Sequence, residues 1–144
     1  MPVNLIKSKS KDLLLIEGLL KQNNLPYQDI KSDKIDFFLA YKDSLLIGIV
    51  GLEVFDNIAL LRSMVVKEEY RNKGYGSEIC KLIIDYAKNK QIKEIYLLTY
   101  TADKYFKKLR FIELLRDELP KEIKQTKQFS QLCPCSAVCM VLKI

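Results

Sequence analysis

The stretch "EEYRNKGYGSEI", residues 68–79, carries an Arg-x-x-Gly-x-Gly pattern directly before a run of apolar residues at helical spacing. The first N–H groups of a helix have no intrahelical partner, and the helix dipole places partial positive charge there. Gly74 and Gly76 let the backbone come close to an anion, and Arg71 and Lys73 add charge. The stretch therefore predicts a helix N-terminus that cradles an anion such as a pyrophosphate.

The two better-known phosphate loops do not fit this stretch. The pattern G-x-G-x-x-G fails because position 79 is isoleucine, and G-x-x-x-x-G-K-[ST] is absent. This stretch is therefore neither the loop of a dinucleotide-binding fold nor that of a P-loop NTPase. A simpler alternative, that the two glycines form only a turn, stays open on this evidence alone.

The chain contains no histidine. This absence excludes Ser-His and Cys-His nucleophilic sites and every metal site with a histidine ligand. Any acid or base chemistry must come from Asp, Glu, Tyr, Cys, Lys, water or the backbone.

Length and charge define the broad class of protein. The 144 residues suit a single domain over 1–144, and the net charge of +6 is spread along the chain, which favours an anionic partner. A small phosphorylated cofactor fits this charge, whereas no basic-aromatic stripe or reading helix indicates nucleic acid. No apolar run is long enough to cross a bilayer and no signal peptide is evident, so we expect no membrane association and a cytoplasmic location.

The apolar pattern predicts an α/β domain with a mixed sheet, antiparallel first and then parallel. The strand at 58–66, a helix ending near Asn89 and the strand at 94–100 form a strand–helix–strand unit, which predicts that the two strands are parallel. The other predicted strands are 36–41, 44–55, 111–115 and 136–144, and the other predicted helices are 12–22, 102–109 and 120–129, with Pro120 at the first helical position.

Two stretches resemble signatures of the GNAT N-acetyltransferase superfamily. "SMVVKEEYRNKGYGSEICKLIIDYAK", residues 63–88, is similar to its acetyl-coenzyme A motif, and "TADKYFKKLRF", residues 101–111, resembles its second signature. The resemblance implies a sheet of about six to seven strands flanked by helices, with splayed central parallel strands. It also implies an acyltransferase that moves an acetyl group from acetyl-coenzyme A (acetyl-CoA) directly to the amine of a small molecule. No metal cofactor is implied, and homodimers are common in the superfamily.

The resemblance also assigns the residues that bind the cofactor. Strands 60–66 and 94–99 would splay apart and admit the pantetheine arm, which the backbone of Met64, Val65 and Val66 would pair with. The Val66 N–H would polarise the thioester carbonyl. The pyrophosphate would be held by Arg71, Asn72, Lys73, Gly74, Tyr75, Gly76 and Ser77. Phe106 occupies the position where the family often has its proton-donating tyrosine, so Phe106 is assigned to cofactor binding and the neighbouring Tyr105 is the candidate acid.

The sequence says less about the residues that bind and deprotonate the acceptor amine. Glu53 is the candidate general base, and Arg62 and Ser63 are the candidate substrate-binding residues. Glu53 and Arg62 could instead form a structural salt bridge. If Arg62 lines the acceptor pocket, an acidic group on the acceptor is expected, since a guanidinium matches a carboxylate or phosphonate.

Three of the four cysteines, Cys133, Cys135 and Cys139, cluster near the end of the sequence, and the fourth is Cys80. Thiolates bind soft metals and metalloids, but buried cysteines more often act as small apolar residues, which is the interpretation we favour. The segment "QFSQLCPCSAVCM", residues 128–140, resembles the arsenic-resistance-associated branch of the superfamily, whose relatives include acetyltransferases of amino-acid-like toxins. An alternative function is therefore a coenzyme A or metalloid sensor with little catalysis.

Overall fold

The computed structural model describes residues 2–100, 102–127, 129–130 and 137–144. These ranges contain seven strands, namely β1 (Asn4–Lys7), β2 (Ile35–Lys42), β3 (Leu45–Phe55), β4 (Ile58–Val66), β5 (Glu94–Thr99), β6 (Ile112–Leu114) and β7 (Val138–Lys143). The α-helices are α1 (Leu13–Gln22), α2 (Tyr75–Asn89), α3 (Asp103–Lys108) and α4 (Lys121–Lys124).

The strands form one mixed sheet in the order β1-β2-β3-β4-β5-β7-β6. The pair β4–β5 is parallel and every other pair is antiparallel, which confirms the predicted fold class. Strand β1 was not expected, because its four residues are mostly exposed and carry no apolar alternation. It is held instead by backbone pairing with β2, a signal that residue types do not encode.

Helix α4 departs from the prediction at both ends. Pro120 caps the helix with an extended backbone (ψ 152°) rather than opening its first turn, so α4 begins at Lys121. It ends at Lys124, and the described residues Lys127, Phe129 and Ser130 have helical backbone again after a break at 125–126. Near this end the Thr126 hydroxyl donates to the Ile123 carbonyl at 2.7 Å, a side-chain bond that competes with regular helix formation.

Apolar side chains pack on both faces of the sheet. Successive residues of a strand point to opposite faces, and Val50 and Leu52 accordingly join the cluster that contains α2, whereas Ile49 joins the cluster that contains α1. Helix α2 contributes Ile79, Cys80, Ile83 and Ala87 as its buried stripe. None of the helices in the described ranges combines the length and apolar composition needed to span a bilayer.

The centre of the sheet opens where β4 and β5 diverge. Their pairing covers only Ile58–Leu60 of β4 against Glu94–Tyr96 of β5. Beside this opening, Gly51 of β3 pairs with Arg62 and Ile49 pairs with Val65, so β4 carries one extra residue. Ser63 lies in this bulge with φ at +58°, a left-handed conformation that is uncommon for a residue other than glycine. The predicted splay of the two central strands is thus present.

Candidate functional site

The opening between β4 and β5 is a cleft of about 1080 Å³. Residues 61–64 of β4 and residues 97–100 form two of its walls, and the segment 23–28 after α1 forms a third. Phe106 of α3 also lines it. Because the strands do not pair here, each leaves a backbone edge toward the cleft, which is the kind of edge that an extended chain pairs with.

The N-terminus of α2 lies beside this cleft, and its two glycines serve different purposes. Gly74, immediately before the helix, has φ at +84°, where a side chain is strained. Gly76 has an ordinary φ, but a Cβ there would lie 2.8 Å from the Tyr105 hydroxyl and 3.6 Å from Cε of Met64, a cleft residue. One glycine allows the backbone turn and the other allows close packing.

Arg71 holds the loop between β4 and α2 in place. Its Nε donates to the Val66 carbonyl at 2.8 Å, and its Nη2 donates to Oδ1 of Asn23 at 2.6 Å. Lys73 and Asn72 are exposed beside the start of α2, and Asn72 has φ at +64°. Arg71 therefore joins the loop between β4 and α2 to the end of α1, a contact that the motif did not reveal.

The backbone of β4 alternates in the direction of its polar groups. The Lys67 N–H donates to the Ile47 carbonyl at 2.8 Å, so the N–H and C=O of Val66 point away from β3, toward the side where β5 has diverged. Val65 pairs with Ile49 and its side chain is buried. Met64 lines the cleft with its side chain. Of the three residues predicted to meet the pantetheine, Val66 directs its backbone N–H to the open side.

Tyr105 and Phe106 point in different directions, as expected for neighbours on a helix. Phe106 is buried and lines the cleft. The Tyr105 hydroxyl lies 3.3 Å from Oγ of Ser77, at the first turn of α2. Burial raises the pKa of Tyr105, so its hydroxyl keeps its proton at neutral pH.

Arg62 belongs to a buried ionic triad with Asp29 and Glu53. Its Nη1 and Nη2 donate to the two carboxylate oxygens of Asp29 at 2.5 and 2.6 Å, and Nη1 also donates to Oε1 of Glu53 at 3.2 Å. The Arg62 side chain is fully buried, and its Nε donates to Oγ of Ser63 at 3.2 Å. Of the two alternatives that the sequence left open, the salt bridge between Glu53 and Arg62 is present.

Burial affects the two partners of this salt bridge differently. Burial raises the pKa of Glu53, and the charge of Arg62 opposes that shift only in part. Burial also disfavours the charge on Arg62, but Asp29 and Glu53 together raise its pKa above that of a free guanidinium. Arg62 thus stays charged, and Glu53 holds its proton more tightly than an exposed glutamate does.

Glu53 and Asp29 also line a second, smaller depression of about 530 Å³. Gln28 is shared between this depression and the cleft. Sequence reasoning missed Asp29, because the loop 23–34 holds no motif. The available signal was a charged residue, Arg62, in an otherwise apolar strand, which requires a buried carboxylate from elsewhere in the chain.

The described cysteines are packing residues. Cys80 and Cys139 are free and buried, and burial raises the pKa of the Cys80 thiol to about 12. Cys133 and Cys135 lie outside the described residues. Within the ranges that the structure covers, no group of three or more His, Cys, Asp or Glu side chains is placed to hold a metal ion.

Comparisons with known proteins show the family to which this chain belongs. The model of the acetyltransferase (GNAT) family matches residues 12–113. An uncharacterized N-acetyltransferase of Chlorobaculum tepidum is 26% identical over 108 residues, which cover 74% of this chain and 68% of that protein. The amino-acid acetyltransferase of Aeromonas salmonicida is also 26% identical over 108 residues, again 74% of this chain but only 24% of that protein.

Among solved structures, the N-acetylglutamate synthase of Neisseria gonorrhoeae, complexed with coenzyme A and N-acetyl-glutamate, superposes with a TM-score of 0.81 at 20% identity. The match covers 99% of this chain and 35% of the synthase. The chain thus spans about a quarter of the amino-acid acetyltransferase and about a third of the synthase. Since the family model covers well over half of the residues, the chain belongs to the acetyltransferase (GNAT) family, a family of acyltransferases.

Proposed function

We propose that the protein transfers an acetyl group from acetyl-CoA directly to the amine of a small molecule. The observation that carries this proposal is the cleft between β4 and β5 with the N-terminus of α2 beside it. Met64 lines the cleft and also lies next to Gly76 in the first turn of α2. The described residues show no nucleophile beside a base, and transfer within a ternary complex needs none.

The chain's own residues would bind acetyl-CoA in two sections. The N–H groups of residues 74–77, with Arg71, Asn72 and Lys73, would hold the pyrophosphate at the helix N-terminus. The backbone of Met64 and Val66 would pair with the pantetheine arm, whereas Val65 between them pairs with Ile49 of β3. Phe106 would pack against the arm. The Val66 N–H, which points to the open side, would stabilise the charge that develops on the thioester oxygen.

Two residues would handle protons during the transfer. Glu53 is our candidate base, and it would take the proton of the acceptor amine through a water molecule, because its carboxylate is already bound to Arg62. Tyr105 is our candidate acid for the departing thiolate, since it holds its proton at neutral pH. Phe106 has no proton to donate.

We further propose that the acceptor is a small amino-acid-like molecule. The amino-acid acetyltransferase and the synthase named above support this class by their names, and the "QFSQLCPCSAVCM" segment supports an amino-acid-like toxin through the arsenic-resistance-associated branch. Arg62 and Ser63 would form part of the acceptor wall. Because the guanidinium of Arg62 is already neutralised by two carboxylates, an acidic group on the acceptor would meet Lys21 at the cleft instead.

A thiol-release assay over a panel of amines tests the proposed activity. The panel starts with L-glutamate and with amino-acid analogues that carry a second acidic group. The expected result is free coenzyme A formed only when an amine is present, with the acetylated amine identified by mass spectrometry. Tight acetyl-CoA binding without turnover on any amine would contradict the proposal.

The alternative of a metalloid sensor depends on Cys133, Cys135 and Cys139. The only one of these within the described residues, Cys139, is buried and pairs across the sheet with Leu98. Transfer that survives the change of all three cysteines to serine supports the enzyme. Tight arsenite binding without turnover supports the sensor.

Free thiols at Cys80 and Cys139 also support the cytoplasmic location that we propose, and homodimer formation remains part of the proposal from the resemblance alone.

A further inference from the structure

The segment Asn23–Asp29, here called the strap, forms one wall of the cleft and is fastened at both ends by arginines. Residues 23–28 line the cleft. The strap connects the end of α1 to the loop that precedes β2. Neither arginine belongs to the strap, since Arg62 lies in β4 and Arg71 lies in the loop that follows it.

The first attachment is the bidentate pair between Asp29 and Arg62. Both side chains are buried, and the two N–O distances are 2.5 and 2.6 Å. Because Arg62 adjoins the bulge at Ser63, this pair fixes the end of the strap relative to the part of β4 that lines the cleft. A paired guanidinium and carboxylate in this geometry restrict both position and orientation.

The second attachment is the contact between Asn23 and Arg71. Nη2 of Arg71 donates to Oδ1 of Asn23 at 2.6 Å, while Nδ2 of Asn23 donates to the Leu19 carbonyl at 2.8 Å. Asn23 therefore joins the last turn of α1 to the loop that precedes α2. Arg71 thus links the strap to the loop between β4 and α2.

Between these attachments, the described part of the chain gives the strap few hydrogen bonds to the rest of the protein. The N–H groups of Asn24 and Leu25 bond back to α1, and the Tyr27 N–H bonds to the side chain of its neighbour Gln28. The Tyr27 ring lies 4.7 Å from Nζ of Lys21. Leu25 and Tyr27 also pack against the apolar cluster that contains α1. The two end contacts therefore act together with this packing, and they supply the polar attachments that place Tyr27 and Gln28 in the cleft.

We propose that Asp29 and Asn23 are positioning residues for the acceptor. These two residues hold the strap in place as the wall of the cleft that faces the acceptor. Asp29 acts through Arg62, and Asn23 acts through Arg71. The assignment of the occupant as an acceptor amine rests on the function proposed above, whereas the mechanical role of the two residues does not.

Amide hydrogen exchange tests that mechanical role without any acceptor. In the Asp29→Asn variant we expect the amides of residues 23–30 to exchange at least about tenfold faster than in the unchanged protein, because local opening governs exchange. The control is Asp33→Asn, the same substitution at an exposed residue four positions further on, which should leave this exchange unchanged. A folded Asp29→Asn protein with unaltered exchange over 23–30 would overturn the proposal.

Kinetics test the consequence for the acceptor. With the amine of the panel that turns over fastest, Asp29→Asn should raise the acceptor KM about tenfold while the Kd for acetyl-CoA stays within about twofold, and Asp29→Glu should recover most of the KM. A fall in kcat with unchanged KM would contradict the positioning role. If no amine turns over, the function proposed above fails, and the exchange measurement alone decides the role of the strap.

A second variant covers the case in which Asp29→Asn does not fold. Asn23→Ala removes the other attachment, which is only partly buried, and it should also speed exchange over residues 23–28. Gln22→Ala, at the exposed neighbouring position, is its control. Equal exchange in the two variants would overturn the proposal.

Discussion

The two sides of the cleft are built in different ways. The proposed cofactor side, comprising residues 64–77 and Tyr105, relies on backbone conformation, namely the positive φ of Gly74 and the first N–H groups of α2. The proposed acceptor side comprises the strap and Arg62, with Glu53 in the neighbouring depression. It relies on buried side-chain charges that come from distant parts of the chain. One side follows from a local sequence pattern, whereas the other depends on the fold that brings its members together.

The largest expected effect concerns the acceptor side. Arg62→Ala leaves Asp29 and Glu53 buried without their cation, so we expect the free energy of unfolding to fall by about 3–5 kcal/mol, measured by urea denaturation at pH 7. The deficit should shrink as the pH falls, because burial raises the pKa of Glu53 and its protonation removes one uncompensated charge. The control is Lys7→Ala, which breaks an ion pair with Asp36 in which the lysine is 59% exposed and should cost less than about 1 kcal/mol. Equal losses in the two variants would show that the triad is not a structural element.

The next effect concerns the cofactor side. Valine in place of Gly74 would be strained at φ +84°, so the turn before α2 would change. We expect the Kd for acetyl-CoA to rise at least about 100-fold, or ~2.7 kcal/mol, measured by calorimetry, with little loss of fold. Gly18→Ala is the matched control, since a Cβ at that α1 position meets no atom within 4 Å. Unchanged affinity for acetyl-CoA in a folded Gly74→Val protein would refute the assignment of residues 71–77 to pyrophosphate binding.

Glu53→Gln distinguishes chemistry from structure on the acceptor side. If Glu53 is the base, kcat should fall about 100-fold, while acetyl-CoA affinity is retained. The base acts only when it is deprotonated, and burial raises the pKa of Glu53 above 4.5. The kcat of the unchanged enzyme should therefore decline as the pH falls through that raised pKa, and Glu53→Gln should remove this acid limb. If the Glu53→Gln variant keeps both the kcat and its decline at low pH, Glu53 has a structural role only.

The smallest effect is expected for the Tyr105 hydroxyl. A thiolate is a fair leaving group, so Tyr105→Phe should lower kcat by about tenfold at most, or ~1.4 kcal/mol, with unchanged acetyl-CoA affinity. Ser77→Ala removes the partner of that hydroxyl and serves as the comparison. A loss far above tenfold in Tyr105→Phe alone would make Tyr105 the principal acid.

The contrast between the two sides explains what could be predicted from the sequence. Gly74 and the apolar stripe of α2 are local signals that predicted the helix, and the apolar pattern of the strands predicted the mixed sheet. The splay of the two central strands was implied by the family resemblance. Asp29 has no local signal, because its role exists only once Arg62 of β4 lies beside it, 33 positions away along the chain. Strand β1 was missed for a related reason, since it is held by backbone pairing and not by apolar residues. Long-range ionic contacts and edge-strand pairing thus required the structure.

Calorimetric titration with acetyl-CoA tests the central claim most directly, that the divergence of β4 and β5 beside the start of α2 is an acetyl-CoA site. The account predicts saturable binding of one acetyl-CoA per chain, weaker binding of a version without the pyrophosphate, and loss of binding in Gly74→Val. A well-folded sample that releases or absorbs no heat with acetyl-CoA, and shows no binding by a second method, would contradict the account and reduce the RNKGYG stretch to a turn.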